Sequence, residues 1–201
     1  MKKSRPTFPT RKPRPDAALP GLDRRARLAA EHGPGAAPHG TGAWRVALVY
    51  PNTYHVGMSS LGFHLAWQMF NRTPPFHAER FFIDTLTEGS LESGTPLGGF
   101  DLIVFSAAFE MDAPHLLEAL EAAGLPLAAR ARSGPAMPLV MMGGVLASLN
   151  RLPLYPFIDV FLHGEAERLV PALGAVVERL GHAAGIEGAR AALLEALAGT
   201  P

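Results

Sequence analysis

Apolar and polar positions follow two rhythms along this chain. Short runs that are apolar at nearly every position recur at Arg45–Tyr50, Asp101–Ser106, Pro138–Met142 and Ile158–Leu162. Runs with no polar face predict strands covered on both sides. Ala78–Ile83 reads as a further strand, and Thr85–Phe100 as a turn-rich connection. Between the strands the spacing becomes helical. Leu61, Leu65, Met69 and Phe70 fall on or near one face of a segment from Ser59 to Asn71, which Pro74-Pro75 ends. Asp112 is placed to cap a helix with Pro114 near its first position, Leu116, Leu117 and Leu120 as its stripe and Gly124 as its stop. Further helices are predicted over Ala166–Leu180 and Glu187–Ala198.

Strand and helix in alternation predict an α/β fold: a flavodoxin-like (Rossmann-like), doubly wound parallel sheet of about five strands. In such sheets a ligand lies beyond the carboxyl ends of the strands, at the point where the strand order reverses. The residues that follow the strands are therefore the candidates. They are Asn52, Tyr54, His55, Gly57 and Met58 after the first strand, Ser106, then Gly143 and Gly144, and finally Gly164 and Glu165.

Composition changes this picture at the amino-terminal end. Residues 1–43 hold seven prolines and nine Lys/Arg against three acids, whereas the remainder holds nine Arg against fifteen Asp/Glu. The net charge of zero thus joins a basic tail to an acidic body. Such a tail is expected to be disordered, because it offers too little apolar surface to offset its ordering entropy. A short helix around Leu22–His32, capped by Asp23, is the exception. Phe8 is the only aromatic among the tail's charges, so a solubilising or partner-docking extension is the preferred reading and nucleic-acid contact the weaker one. The body is expected over 44–181, followed by a helix and frayed end over 182–201.

The chain has 201 residues and no cysteine, which excludes a disulfide framework, a thiol nucleophile, a Cys-based zinc site and thiolate-held iron–sulfur clusters on these residues. The longest apolar run, Ala136–Leu149, is broken by Pro138 and two glycines and falls short of the ~20 residues of a membrane span. No secretory h-region follows the basic start, so a cytoplasmic address is expected. The loop after the first strand fits neither G-x-G-x-x-G nor G-x-x-x-x-G-K-[ST], and no serine lies in G-x-S-x-G. His55 is either a metal ligand, a proton donor or an exposed polar loop residue. Gly143-Gly144 lets a flat group approach the backbone, or else makes a tight turn.

The segments PNTYHVGMSSLGFH (51–64), LESGTPLGGFDLIVFSAAFEMD (91–112), PLVMMGGVLASLN (138–150) and FIDVFLHGEAE (157–167) resemble the N-terminal domain of cobalamin-binding-domain radical SAM proteins. The resemblance runs collinearly from about Trp44 to Leu180. It implies a cobalamin-binding-like domain that precedes a barrel whose three-cysteine motif holds a [4Fe–4S] cluster and cleaves S-adenosylmethionine. It also implies that the nucleotide tail of cobalamin enters the crevice beside Ser106 and Gly143-Gly144, with the first loop, including His55 as a cobalt axial ligand, facing the corrin. The sequence departs from the pattern in two places. D-x-H-x-x-G is absent from the first loop, and the usual G-E-G-E reads Gly164-Glu165-Ala166-Glu167. Without cysteines, cluster and S-adenosylmethionine are not expected on this chain.

The leading expectation is a cobalamin-binding-like domain, truncated or split from its catalytic barrel and inactive alone, with a separate radical SAM barrel protein as partner. The alternative is a cofactor-free module that docks such a partner. An autonomous enzyme ranks last, since no phosphate loop, metal cluster or nucleophile–base pair is visible.

Overall fold

The computed structural model describes residues 23–31, 44–133, 137–180 and 194–195. Five strands form one sheet: β1 (Trp44–Tyr50), β2 (Phe76–Phe82), β3 (Leu102–Ser106), β4 (Leu139–Gly143) and β5 (Val160–Phe161). Their order is β2-β1-β3-β4-β5 and every pairing is parallel. This is the doubly wound, flavodoxin-like order, with its reversal between β1 and β3.

The apolar runs become strands because both faces are covered. Val46, Leu48, Val104 and Met141 point into one layer, against Phe63, Trp67 and Phe70 of α3 (Leu61–Arg72) and Val170, Leu173 and Val177 of α6 (Ala166–Leu180). Ala47, Val49, Ile103, Phe105, Val140 and Met142 point into the other, against Leu116, Ala119 and Leu120 of α4 (Ala113–Ala122). Gly124 ends α4 at φ 68°, as its position suggests.

Four features differ from the sequence reading. β2 starts at Phe76, ahead of Ala78, and carries the buried charges Glu79 and Arg80 inside it. The helix expected from Ser59 divides. Thr53 caps a short α2 (Tyr54–Met58), and Ser60, whose hydroxyl accepts from the Phe63 N–H, caps α3. β5 keeps only two residues, because at its start the Asp159 carboxylate, not a backbone carbonyl, takes the Val140 N–H. α5 (Val145–Leu149) adds a turn after β4 that the spacing did not indicate.

The Asp23-capped helix is present as α1 (Arg24–Ala30), and it packs on the sheet domain: Arg24 donates to the Glu92 carbonyl at 2.6 Å, and Arg27 pairs with Glu88 at 2.8 Å. The rest of the expected tail lies outside the described residues. So does most of the expected helix Glu187–Ala198, of which Leu194 and Glu195 are described as helical. Among the described residues, no helix is long and apolar enough to cross a membrane.

Candidate functional site

Parallel pairing sends β1, β3, β4 and β5 out of the sheet at one rim, and a cleft of about 430 Å3 opens there. That size lies within the ~300–1,000 Å3 of small-molecule sites. Ser106 and Gly143 are register partners at the ends of β3 and β4, and both line the cleft. Gly144, Gly164 and Glu165 line it too. Five of the sequence candidates from three separate loops thus meet in one place.

Gly144 is required by the fold itself. Its φ is 92°, and a Cβ there would stand 2.6 Å from the Ala107 carbonyl oxygen. Gly143 is different: a Cβ there would meet only Leu162, at 3.7 Å, so the side chain it lacks leaves room in the cleft.

The first loop goes elsewhere. Asn52 donates from Nδ2 to Asp112 at 3.1 Å. The Tyr54 ring packs edge-on to Phe82, 5.2 Å between centroids, with the Arg27 guanidinium 5.5 Å from its own centroid. Gly57 is buried against the Phe82 ring, which occupies the space a Cβ would need. Met58 lies with its sulfur 3.5 Å from Arg80, and its carbonyl accepts from His64 Nε2. His55 is exposed, 6.2 Å from the Tyr54 ring. None of these five lines the cleft; between β1 and β2 it is lined by Ser60 and by Gly62, Phe63, Leu65, Ala66 and Phe70 of α3.

Sequence reading missed Tyr50, Ser60, Ala107, Ala108 and Asp112. Ala107 and Ala108 directly follow Ser106, so their small size beside a strand end was the available signal. Tyr50 forms the floor, 3% exposed, with Phe63 edge-on at 5.3 Å. Burial, then the Asp112 carboxylate, push the Tyr50 phenol above its ordinary value, against a hydrogen bond with Ser60. Asp112 is 1% exposed and accepts from the Ala108 and Phe109 N–H groups as well as Asn52. It was read as a helix cap; its side chain instead ties the β3 loop to the β1 loop, and no cap bond forms.

Among the described residues the cleft lining has serine hydroxyls, exposed backbone and aliphatic and aromatic side chains, with Glu165 and Glu167 as its charges and no histidine, lysine or arginine. Among the described residues no group of three metal-ligating side chains occurs. Two further imidazoles are engaged: His115 Nδ1, on α4, donates to the Pro51 carbonyl, and His163 Nε2, in the loop after β5, accepts from Arg151 at 2.6 Å.

A parallel sheet with small residues around a cleft at its carboxyl rim is of the doubly wound class, in which ligands bind at that rim. A family model described as "Radical SAM proteins, N-terminal" matches residues 62–201, well over half of the chain. The chain belongs to this family of radical SAM N-terminal domains. No curated protein matches it. The matched segment contains Ser106, Gly143, Gly144, Gly164 and Glu165, whereas β1 and the loop 51–58 precede it.

Proposed function

We propose that this radical SAM N-terminal domain binds a corrinoid by its nucleotide tail, in the cleft at the carboxyl rim, and works beside a radical SAM barrel. The observation that carries the reading is the open space above Gly143, walled by Ser106, Ala107 and Ala108 and floored by Tyr50. The residues fit a flat heterocycle with a sugar: backbone and hydroxyls supply the hydrogen bonds, aliphatic walls the apolar contact. They fit the tail and not the metal, since the cleft lining has no imidazole and His55 is exposed outside it. Asp112 holds the β1 and β3 loops in register. A bound corrinoid would supply a redox-active cobalt able to carry an alkyl group. The iron–sulfur chemistry belongs to the barrel, because these 201 residues contain no cysteine.

The test is incubation of the full chain with hydroxocobalamin, removal of free ligand, and a visible spectrum. The expected result is a retained chromophore at about one equivalent, lost in Gly143→Val and unchanged in His55→Ala. A colourless wild-type protein rejects the reading.

A second reading, a cofactor-free module that docks a barrel, is favoured by the surface. The large apolar side chains exposed among the described residues are Val56, Leu61, Phe109, Met111, Val145, Leu149, Leu152 and Tyr155. All sit in segments that leave the carboxyl ends of β1, β3 and β4. Clustered exposed apolar surface marks interaction sites. Under this reading Phe109→Asp with Leu149→Asp abolishes co-elution with a purified radical SAM barrel, and hydroxocobalamin makes no difference to it.

A further inference from the structure

α1 packs against the segment 88–92 beside β2, and most of the contacts that keep it there are charged. Arg24 donates to the Leu91 and Glu92 carbonyls, Arg27 pairs with Glu88, and Glu31 pairs with Arg80 at 2.9 Å. None of its seven residues is fully buried; Leu28 is the partly buried one that packs on the core. A helix this short does not hold itself together in water. The docking is also imperfect, since Glu31 Oε1 is buried and finds no hydrogen-bond partner among the described residues.

The domain beneath is complete without α1. Arg80 is 2% exposed, yet it keeps Glu92 through its Nε at 2.6 Å and its backbone N–H, and it lies 4.2 Å from the Trp67 ring centroid. Departure of Glu31 therefore strands no buried cation, which is the usual penalty for breaking such a pair. What α1 does restrain is α2: Arg27 lies over Tyr54, and Glu31 shares Arg80 with Met58.

We infer that α1 is a releasable strap, held by charge rather than apolar burial, that clamps the α2 turn while docked and frees it on leaving. The strap is independent of what the cleft binds. Local opening of such a segment reads out as hydrogen exchange that accelerates in one region alone.

The experiment is hydrogen exchange with mass spectrometry on the full chain, from about 10 mM to about 1 M NaCl, over which the Debye length falls from about 30 to about 3 Å. Peptides covering α1 and 54–58 are expected to exchange about tenfold faster at high salt, from the combined loss of several modest pairs. Those covering β1 and β3 stay unchanged. Glu31→Gln at low salt reproduces the effect, and far-ultraviolet circular dichroism confirms that the sheet domain stays folded. Three results overturn the inference: salt-independent protection of α1, acceleration that spreads through β1 and β3, and α1 unprotected at every salt concentration.

Discussion

The two ends of this sheet are finished in opposite ways. At the amino end and along the outer edges, charges are buried and answered. Arg132 is fully buried and donates to the Pro126, Leu127 and Phe157 carbonyls and to Asp159. Glu79, 2% exposed, takes hydrogen bonds from Ser90, Ser93 and His77. At the carboxyl rim the buried Asp112 ties the β1 and β3 loops together, but the cleft beside it stays open. Small residues stand where long side chains would seal the sheet, and apolar side chains remain exposed. Charged networks seal backbone that would otherwise pair with another strand.

The contrast is sharpest where a charge is removed from the closed end. Arg132→Met takes the guanidinium from three carbonyls and from the Asp159 carboxylate, which keeps the Val140 N–H, and breaking a buried pair on one side costs about 3–5 kcal/mol. Urea unfolding should show a stability lowered by that amount, read as an earlier midpoint at unchanged slope, with the cleft residues untouched. Asp112→Ala tests the one buried charge serving the open rim. Two N–H groups and Asn52 lose their acceptor, and the expected loss is about 1–3 kcal/mol. Corrinoid retention should weaken with it, because the β1 and β3 loops are no longer tied.

A smaller effect comes from acid. Burial would raise the Glu79 carboxyl, but the hydrogen bonds from Ser90, Ser93 and His77 prevail and hold it below its ordinary value. A lowered carboxylate contributes stability that is full above its unfolded value and is lost as pH falls through the folded one. Ser90→Ala should therefore be less stable at pH 7 by about 1 kcal/mol. It should also lose less stability than the wild type on acidification from about pH 6 to about pH 3. Calorimetry across that range checks both signs. The smallest effect on stability is expected at the rim: Gly143→Val has room for its first carbon and should shift unfolding by less than about 1.5 kcal/mol. Its consequence is for the cleft volume, read as loss of retained hydroxocobalamin.

The sequence by itself determined the strand sequence and the layered, parallel architecture, because strands buried on both faces must be apolar at consecutive positions. It also pointed to Ser106, Gly143, Gly144, Gly164 and Glu165, since a parallel sheet delivers the residues after its strands to one rim. Only the tertiary structure decided the polar positions. His77 hid the start of β2, which begins two residues ahead of the run read from Ala78, and the charges inside that run, Glu79 and Arg80, are tolerable only because distant partners such as Ser90 and Glu92 answer them. Likewise Asn52, Tyr54, Gly57 and Met58 were legible as loop residues, but what they touch depends on Asp112, Phe82 and Arg80, far along the chain. Apolar periodicity is a local signal; the pairing of buried polar groups is a long-range one, and no spacing along the chain encodes it.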